Sequence, residues 1–281
     1  MIRGALAAAL TPLRNGGAAL DEDAFPPYVD FLLGGGVAGI LALGTTGEGI
    51  SLSVPERRRA TALLAGAMAG RGAVIAHCGA QTTADTVELA SRAGEDGADA
   101  VAVIAPPYYK LDDAALLAHL TAAARAAAPL PFYVYEFAAA AGYPVPLSVL
   151  EALREAAPNL VGLKVSDTPW ESFAPYLVEG LDVFVGPEAF ISQGMAAGAV
   201  GAVSALASAF PDRVAAAVRE PDGEAAAGMA DLRAFVESLP RHAALKHVVA
   251  RHGVPIEEDV RAPLRGLTDD ERRRLDEWLD A

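Results

Sequence analysis

Lys164 is the residue of this sequence with the clearest chemical potential. It follows an apolar segment at residues 160–163, so we expect it at the end of a buried strand. A free lysine amine is almost fully protonated at neutral pH, and removal from water favours the neutral, nucleophilic form. Because a neutral amine attacks a ketone to form an imine, Lys164 predicts Schiff-base chemistry. The alternative is an ordinary lysine whose amine reaches solvent.

A glycine-flanked turn at residues 44–48 offers a group of hydrogen-bond donors. Its sequence is Gly-Thr-Thr-Gly-Glu. Successive backbone N–H groups in such a turn can bind an anion, and the hydroxyls of Thr45 and Thr46 add further donors. A small carboxylate fits this turn better than a polyphosphate, because the chain has no Walker-type Gly-Lys-Ser/Thr motif. The alternative is a structural turn with two capping threonines.

Tyrosines follow two other apolar segments. Tyr135 ends the segment at residues 132–135, one strand before Lys164. Its phenol could move protons to and from the carbinolamine and a substrate hydroxyl. The alternative is a core aromatic residue whose hydroxyl finds a structural partner. Tyr108 and Tyr109 follow two prolines on a predicted loop, which is typical of interface residues.

Eight short apolar segments rich in Val, Ile, Leu and Ala must position these residues. They lie at residues 5–10, 37–43, 73–78, 99–105, 131–135, 160–164, 182–185 and 199–203. Such segments are typical of strands buried on both faces, and their alternation with helical segments predicts a parallel sheet. The number of units favours a closed (β/α)8 TIM barrel, in which the residues after the strands share one mouth. The alternative is an open, doubly wound sheet.

Capping signals divide the segments between the strands. Helices are predicted to begin at Asp21, Ser53 (with Glu56), Thr82 or Thr83, Asp112, Ser148 and Thr168. After residue 210 the sequence predicts helices alone, at residues 222–237, 240–251 and 268–279, the last with a capping box of Thr268 and Glu271. We therefore divide the chain into a barrel catalytic domain, 1–220, and a C-terminal helical region, 221–281.

Composition excludes several classes of partner. The net charge of −14 leaves no basic surface for nucleic acid. No apolar run is long enough to cross a bilayer, and we expect the apolar start of the chain to be a strand rather than a signal sequence. The single cysteine, Cys78, permits no internal disulfide, which suits a cytoplasmic protein. We predict no metal site and no nucleotide cofactor, because neither pattern is present.

Together these motifs resemble the dihydrodipicolinate synthase / N-acetylneuraminate lyase family of class I pyruvate-dependent aldolases. The resemblance covers nearly the whole chain and rests on the order and spacing of five motifs. They are the turn at 44–48, Pro107-Tyr108-Tyr109, Tyr135, Gly162-Leu163-Lys164, and residues 198–204. The resemblance implies a homotetramer, as a dimer of dimers, of (β/α)8 barrels that bind pyruvate or another small 2-keto acid.

The resemblance also implies roles for individual residues. Lys164 would form the imine with pyruvate, and Tyr135 would relay protons. Thr45 would link Tyr135 to a second tyrosine from a neighbouring subunit, which Tyr109 matches. The residues that match the pyruvate-binding positions are Thr45 and Thr46, for the carboxylate, with Gly186 and Val203 lining the pocket.

The stretch after Tyr135 departs from the synthases of this family. Those enzymes have Asn-x-Pro and then an Arg that binds the carboxylate of the aldehyde substrate. The Arg position matches Ala140 here, and Glu136 adds a nearby acidic residue. Val165 stands where a polar residue is usual, while His77 resembles the lyases, although a lone histidine at a strand end is more often structural. We therefore expect weak synthase activity unless an arginine from another loop, such as Arg14, supplies the cation.

The predicted function is a Schiff-base-forming aldolase or lyase that acts on a 2-keto-3-deoxy sugar acid or a related hydroxy-keto acid. Three alternatives remain. They are 4-hydroxy-tetrahydrodipicolinate synthase, a keto-acid dehydratase that uses the same imine, and a non-catalytic keto-acid sensor. Retention of Lys164, Tyr135 and Thr45 together argues against the sensor, because a binding protein needs no nucleophile.

Overall fold

The computed structural model describes residues 2–280, in which eight parallel strands form a closed barrel. Each strand pairs with its neighbour in sequence, and the eighth closes the barrel on the first, with Gly201 opposite Gly4. The barrel strands are β1 (Gly4–Ala8), β2 (Gly39–Ala42), β3 (Ala73–His77), β4 (Ala100–Ile104), β5 (Phe132–Glu136), β6 (Leu160–Val165), β7 (Asp182–Val185) and β8 (Gly201–Ser204). The predicted (β/α)8 barrel is confirmed, and the doubly wound alternative is wrong.

Helices surround the strands because every barrel strand is apolar on both faces and must be covered outside as well as inside. The helices are α1 (Phe25–Gly34), α2 (Val54–Met68), α3 (Thr83–Arg92), α4 (Asp113–Ala127), α5 (Ala138–Ala141), α6 (Leu147–Ala156), α7 (Trp170–Phe173), α8 (Ile191–Ala196), α9 (Pro211–Arg219), α10 (Glu224–Ala227), α11 (Met229–Glu237), α12 (Arg241–Arg251) and α13 (Asp269–Leu279). Between residues 2 and 280, no helix has the length and apolarity needed to span a membrane.

Four of the predicted helix starts are confirmed. The side chains of Ser53, Thr82, Asp112 and Thr268 each accept a hydrogen bond from a backbone N–H in the first turn of α2, α3, α4 and α13. Glu56 and Glu271 complete capping boxes with Ser53 and Thr268. Each such cap satisfies a donor that the helix itself leaves without a partner.

The starts predicted at Ser148 and Thr168 are wrong, because prolines take the capping positions. The carbonyl of Pro146 accepts the first bonds of α6, so Ser148 already lies inside the helix. The carbonyl of Pro169 does the same for α7, one residue after Thr168.

Asp21 precedes the helical segment that includes α1, as predicted, but it does not cap that segment through its side chain. Its backbone carbonyl opens a short 3-10 turn at Glu22–Ala24, but its side chain makes no capping bond and instead lies 4.0 Å from Arg14. Arg14 belongs to a two-stranded hairpin, Leu13–Arg14 with Ala19–Leu20, that the sequence analysis missed. A strand of two residues is too short to give a periodic pattern.

The C-terminal region is helical, as predicted, with one interruption. The helix predicted at 222–237 is divided into α10 and α11 at Gly228, and glycine is a poor residue for a helix interior. The helix α9 covers the last strand and completes the eighth unit of the barrel. We therefore propose to keep the boundary at residue 220, between the barrel and the helices that follow it.

The apolar core has two parts. A smaller cluster fills the inside of the barrel, where Leu6, Leu41, Ile75, Tyr133 and Phe184 from five strands pack together. A much larger cluster lies between the strands and the surrounding helices. Because Tyr133 lies two residues before Tyr135 on β5, the inner cluster forms the floor beneath the barrel mouth.

Candidate active site

One cavity at the carboxyl ends of the barrel strands brings together six of the seven residues singled out as catalytic or substrate-binding. It has a volume of about 450 Å³. The predicted residues that line it are Thr45, Thr46, Tyr135, Lys164, Gly186 and Val203. This is the end of a (β/α)8 barrel at which substrates bind.

Lys164 and Tyr135 are neighbours across strands β5 and β6. They stand opposite each other in the strand register, and the Lys164 Nζ lies 3.8 Å from the centre of the Tyr135 ring. Both side chains are buried, with 7% and 1% of their surface exposed. The amine therefore faces an aromatic ring and the cavity rather than bulk solvent.

The Tyr135 phenol has polar neighbours in the cavity. Its oxygen lies 3.2 Å from the Thr45 hydroxyl, the Lys164 amine lies over its ring, and Ser166 lines the same cavity. Burial raises the pKa of the phenol, but the positive charge of Lys164 and hydrogen bonding outweigh it and lower the pKa of Tyr135 below its ordinary value. A phenol whose anion is stabilised in this way can accept and return a proton near the amine.

Gly186 packs so closely against Ser166 and Val165 that no side chain would fit at this position. A Cβ atom at this position would lie 2.2 Å from the Ser166 hydroxyl and 2.6 Å from the Val165 carbonyl. The backbone N–H of Gly186 donates to that carbonyl at 2.7 Å. A larger residue would therefore have to displace the Ser166 hydroxyl or the Val165 carbonyl.

The threonine turn is anchored from outside the barrel. His242 Nε2 donates to the Thr45 carbonyl at 3.0 Å. Glu48, in a left-handed conformation with φ of 57°, forms a buried ion pair with Lys246 at 2.7 Å and accepts the Arg261 backbone N–H at 2.7 Å. Sequence reasoning missed these anchors. The signal was Lys246, because a lysine within the apolar stretch 243–249 is expected to be buried and therefore to need an acidic partner.

Charged residues of the C-terminal helices form the far wall of the cavity. Arg233, Glu237 and Arg241 line it together with Glu188. The suggestion that Arg14 supplies a cation is wrong, because Arg14 faces Asp21 and does not line the cavity. Sequence reasoning looked for the cation near Tyr135 and so missed two arginines that arrive about a hundred residues later.

Tyr109 does not reach this cavity within one chain. Tyr108 and Tyr109 are 85% and 69% exposed and pack against each other edge to face. The role of Tyr109 as a tyrosine supplied to a neighbouring subunit stays a prediction.

His77 contacts the site from below. Its Nδ1 lies 3.1 Å from the Leu43 carbonyl, and its ring packs edge-on against Tyr135 at 5.8 Å. Burial lowers the pKa of His77 to about 3, so the ring is neutral at ordinary pH. Among residues 2–280, no group of three or more His, Cys, Asp or Glu side chains could hold a metal ion.

The dihydrodipicolinate synthetase family matches residues 1–281 of the chain. The chain belongs to this family. A Chloroflexus aurantiacus protein named as an uncharacterized DapA-like lyase is 35% identical over 283 residues, which cover 96% of this chain and 93% of that one. A 4-hydroxy-tetrahydrodipicolinate synthase of Thermus thermophilus is 36% identical over 218 residues, or 76% of this chain and 72% of the synthase.

Solved structures of family members have the same fold. The dihydrodipicolinate synthase of Aquifex aeolicus superposes with a TM-score of 0.91 at 25% identity, covering 99% of this chain and 97% of that one. The N-acetylneuraminate lyase of Proteus mirabilis gives 0.90 at 29% identity, covering 99% and 98%. The predicted family is confirmed, and so is the predicted enzyme class, since family members are class I aldolases and lyases.

Glu136 does not add the negative charge that the sequence analysis placed near the substrate. Its side chain is buried and does not line the cavity, and its Oε2 accepts the Val145 backbone N–H at 2.9 Å. Burial and the nearby carboxylate of Asp167 raise the pKa of Glu136 to about 9, so the carboxyl is protonated at neutral pH. It therefore adds no repulsion to an anionic substrate.

We expect Glu136→Gln to stabilise the protein at alkaline pH. The unfolded carboxyl ionises near its ordinary pKa of 4.5 but the folded one near 9, so folding stability falls as pH rises between these values. Each pH unit costs up to about 1.4 kcal/mol in this window. A neutral amide removes the cost, so denaturant unfolding at pH 5 and pH 8 should show a smaller loss in the variant. The exposed Glu151→Gln is the control, and equal pH slopes in wild type and Glu136→Gln would contradict the assignment.

Proposed function

We propose that this enzyme forms a Schiff base between Lys164 and the ketone of a 2-keto acid, and that it makes or cleaves the carbon–carbon bond of a 2-keto-3-deoxy sugar acid or a related hydroxy-keto acid. The observation that carries the proposal is the buried amine of Lys164 against a Tyr135 phenol of lowered pKa. This arrangement provides a nucleophile and a proton acceptor at one cavity, as imine chemistry requires.

The cleavage proceeds through an imine and an enamine on Lys164. Lys164 attacks the C2 ketone, and Tyr135 protonates the departing hydroxyl as the carbinolamine loses water, which gives a protonated imine and a Tyr135 phenolate. Tyr135 accepts the C4 hydroxyl proton as the C3–C4 bond breaks, which releases an aldehyde and leaves an enamine on Lys164. The enamine takes up a proton at C3, and water releases pyruvate and the free lysine.

Thr45 and Thr46 are proposed to bind the pyruvate carboxylate. No oxygen among residues 2–280 accepts a hydrogen bond from the backbone N–H of either threonine, so both donors are free for a ligand. Gly186 and Val203 line the same cavity, and we propose that the absent side chain of Gly186 and the apolar one of Val203 leave room for the methyl end of pyruvate.

Borohydride should trap the imine at Lys164. Incubation of the protein with pyruvate and borohydride should add a reduced pyruvyl group to the peptide that contains Lys164, measured by mass spectrometry. Lys164→Arg should abolish the adduct, since a guanidinium does not lose its proton in proteins. Lys246 is the internal control because it is buried in an ion pair, and a label on it would overturn the assignment.

Tyr135→Phe should retain pyruvate binding and lose turnover. The phenol moves protons, which is worth roughly a hundredfold to ten-thousandfold in rate. The expected result is an unchanged final extent of trapping at Lys164, with a kcat reduced by that factor. Tyr133→Phe, two residues earlier in the barrel floor, is the matched control. Near-normal turnover of Tyr135→Phe would assign the relay to another group.

The second candidate is 4-hydroxy-tetrahydrodipicolinate synthase. It is favoured by the curated relatives of that name and by Arg233 and Arg241, which supply cations that the sequence analysis did not find near Tyr135. Weak synthase activity stays a prediction. The absence of an arginine at position 140 supports it less strongly, because Arg233 and Arg241 also line the cavity. A dehydratase would use the same imine and relay. Assay of pyruvate with aspartate semialdehyde beside a panel of 2-keto-3-deoxy acids distinguishes the three.

We propose that the protein is a cytoplasmic homotetramer, a dimer of dimers. Exposed apolar side chains near the barrel mouth, namely Ile50, Tyr108, Tyr109 and Leu264, support an interface there. Sedimentation should give a tetramer, and Tyr109→Ala should weaken it and reduce turnover. Arg273→Ala, on exposed α13, is the control. A fully active monomer would contradict both the interface and the role of Tyr109 across it.

A further inference from the structure

Two guanidinium groups on the far wall of the cavity share one carboxylate. Arg233 Nη2 and Arg241 Nη1 both lie 2.6 Å from the same oxygen, Oε1 of Glu237. Arg233 comes from α11 and Arg241 from the first residue of α12, so neither belongs to the barrel strands that carry Lys164. The space between the two guanidinium groups therefore already accommodates a carboxylate.

Glu188 fixes the position of Arg233. Its side chain is almost fully buried, and its Oε1 accepts the Ser204 hydroxyl at 2.7 Å and the Leu206 N–H at 3.1 Å. Its other oxygen accepts Arg233 Nη1 at 2.9 Å. Because these bonds occupy both oxygens, Glu188 holds Arg233 in place and has little capacity left for a substrate.

Glu237 is held less firmly than Glu188. Its side chain is 43% exposed, and its described side-chain contacts are those with the two arginines. Arg241 also has a buried Nε that finds no partner among residues 2–280. Without Glu237, the charges of Arg233, Arg241 and Glu188 sum to one net positive charge at this wall of the cavity.

We propose that Arg233 and Arg241 bind a second carboxylate at the far end of the substrate, in the place that Glu237 occupies in the free enzyme. This inference rests on the proposed function and narrows its substrate class to hydroxy-keto acids that carry a carboxylate at both ends. The Thr45–Thr46 turn binds the carboxylate next to the ketone, and the arginine pair binds the distal one. Arginine forks match carboxylates with parallel hydrogen bonds, which a neutral terminal hydroxyl cannot replace.

The opposing possibility is that the arginines only anchor α11 and α12 to the barrel. In that case their loss would weaken every substrate equally. If the cavity instead selected a neutral polyol end, removal of one arginine would weaken substrates with and without a distal carboxylate by a similar factor. The matched ligands that decide between these outcomes are 2-oxoadipate and 2-oxohexanoate, which have six carbons each and differ at the far end, carboxylate against methyl.

The test measures the concentration of each keto acid that gives half-maximal borohydride trapping at Lys164. We expect 2-oxoadipate to bind more tightly than 2-oxohexanoate in the wild type. Arg241→Gln should weaken 2-oxoadipate by about tenfold to a hundredfold, the value of a charge-assisted hydrogen bond, and leave 2-oxohexanoate and pyruvate within about twofold. Glu237→Gln should tighten 2-oxoadipate, because it removes the competing charge.

Exposed Arg273→Gln is the control and should change neither ligand. Equal weakening of both keto acids by Arg241→Gln, or no effect of Glu237→Gln on 2-oxoadipate, would overturn the inference. Failure of 2-oxoadipate to trap while pyruvate does so would also overturn it. Failure of pyruvate itself to trap at Lys164 would instead overturn the proposed function.

Discussion

The buried ion pair between Glu48 and Lys246 is the interaction on which the mouth of the barrel depends. It joins the turn after β2 to α12, with both side chains 0% exposed. Burial lowers the pKa of Lys246, yet the carboxylate beside it opposes this effect. Loss of one partner would leave an unpaired charge in the interior and cost about 3–5 kcal/mol, so the pair is retained as a unit. The C-terminal helices are thereby tied to the residues that are proposed to bind pyruvate.

The start of α12, which this ion pair holds in place, contributes to two parts of the cavity. His242, one helical turn before Lys246, bonds to the Thr45 carbonyl, and Thr45 in turn bonds to Tyr135. Arg241, the preceding residue, faces the other way toward Glu237. A single helix end therefore supports the phenol that is proposed to relay protons and also contributes a cation to the far wall. A shift of α12 would change the position of both.

The sequence predicted the barrel well because its strands are continuous apolar runs with distinct helical segments between them. It also predicted Lys164, Tyr135 and the threonine turn, since each ends a strand and local order alone places them at one mouth. It could not predict Arg233 or Arg241. On a helix with many charged neighbours, an arginine that faces a cavity has the same local pattern as one that faces solvent. The raised pKa of Glu136 was missed for a related reason, because the burial that causes it depends on the tertiary fold and leaves no pattern in the neighbouring sequence.

The division between strands and C-terminal helices separates two kinds of chemical requirement. The imine and its proton relay need an amine and a phenol at a fixed distance, and neighbouring parallel strands provide this because the register sets Lys164 opposite Tyr135. Recognition of the far end of the substrate needs binding groups whose distance from Lys164 matches the length of the substrate. Helices outside the barrel can supply such groups without disturbing the strand register. An alanine at position 140, where the family's synthases place an arginine, is compatible with this arrangement because Ala140 lines a neighbouring pocket, whereas Arg233 and Arg241 line the cavity that contains Lys164.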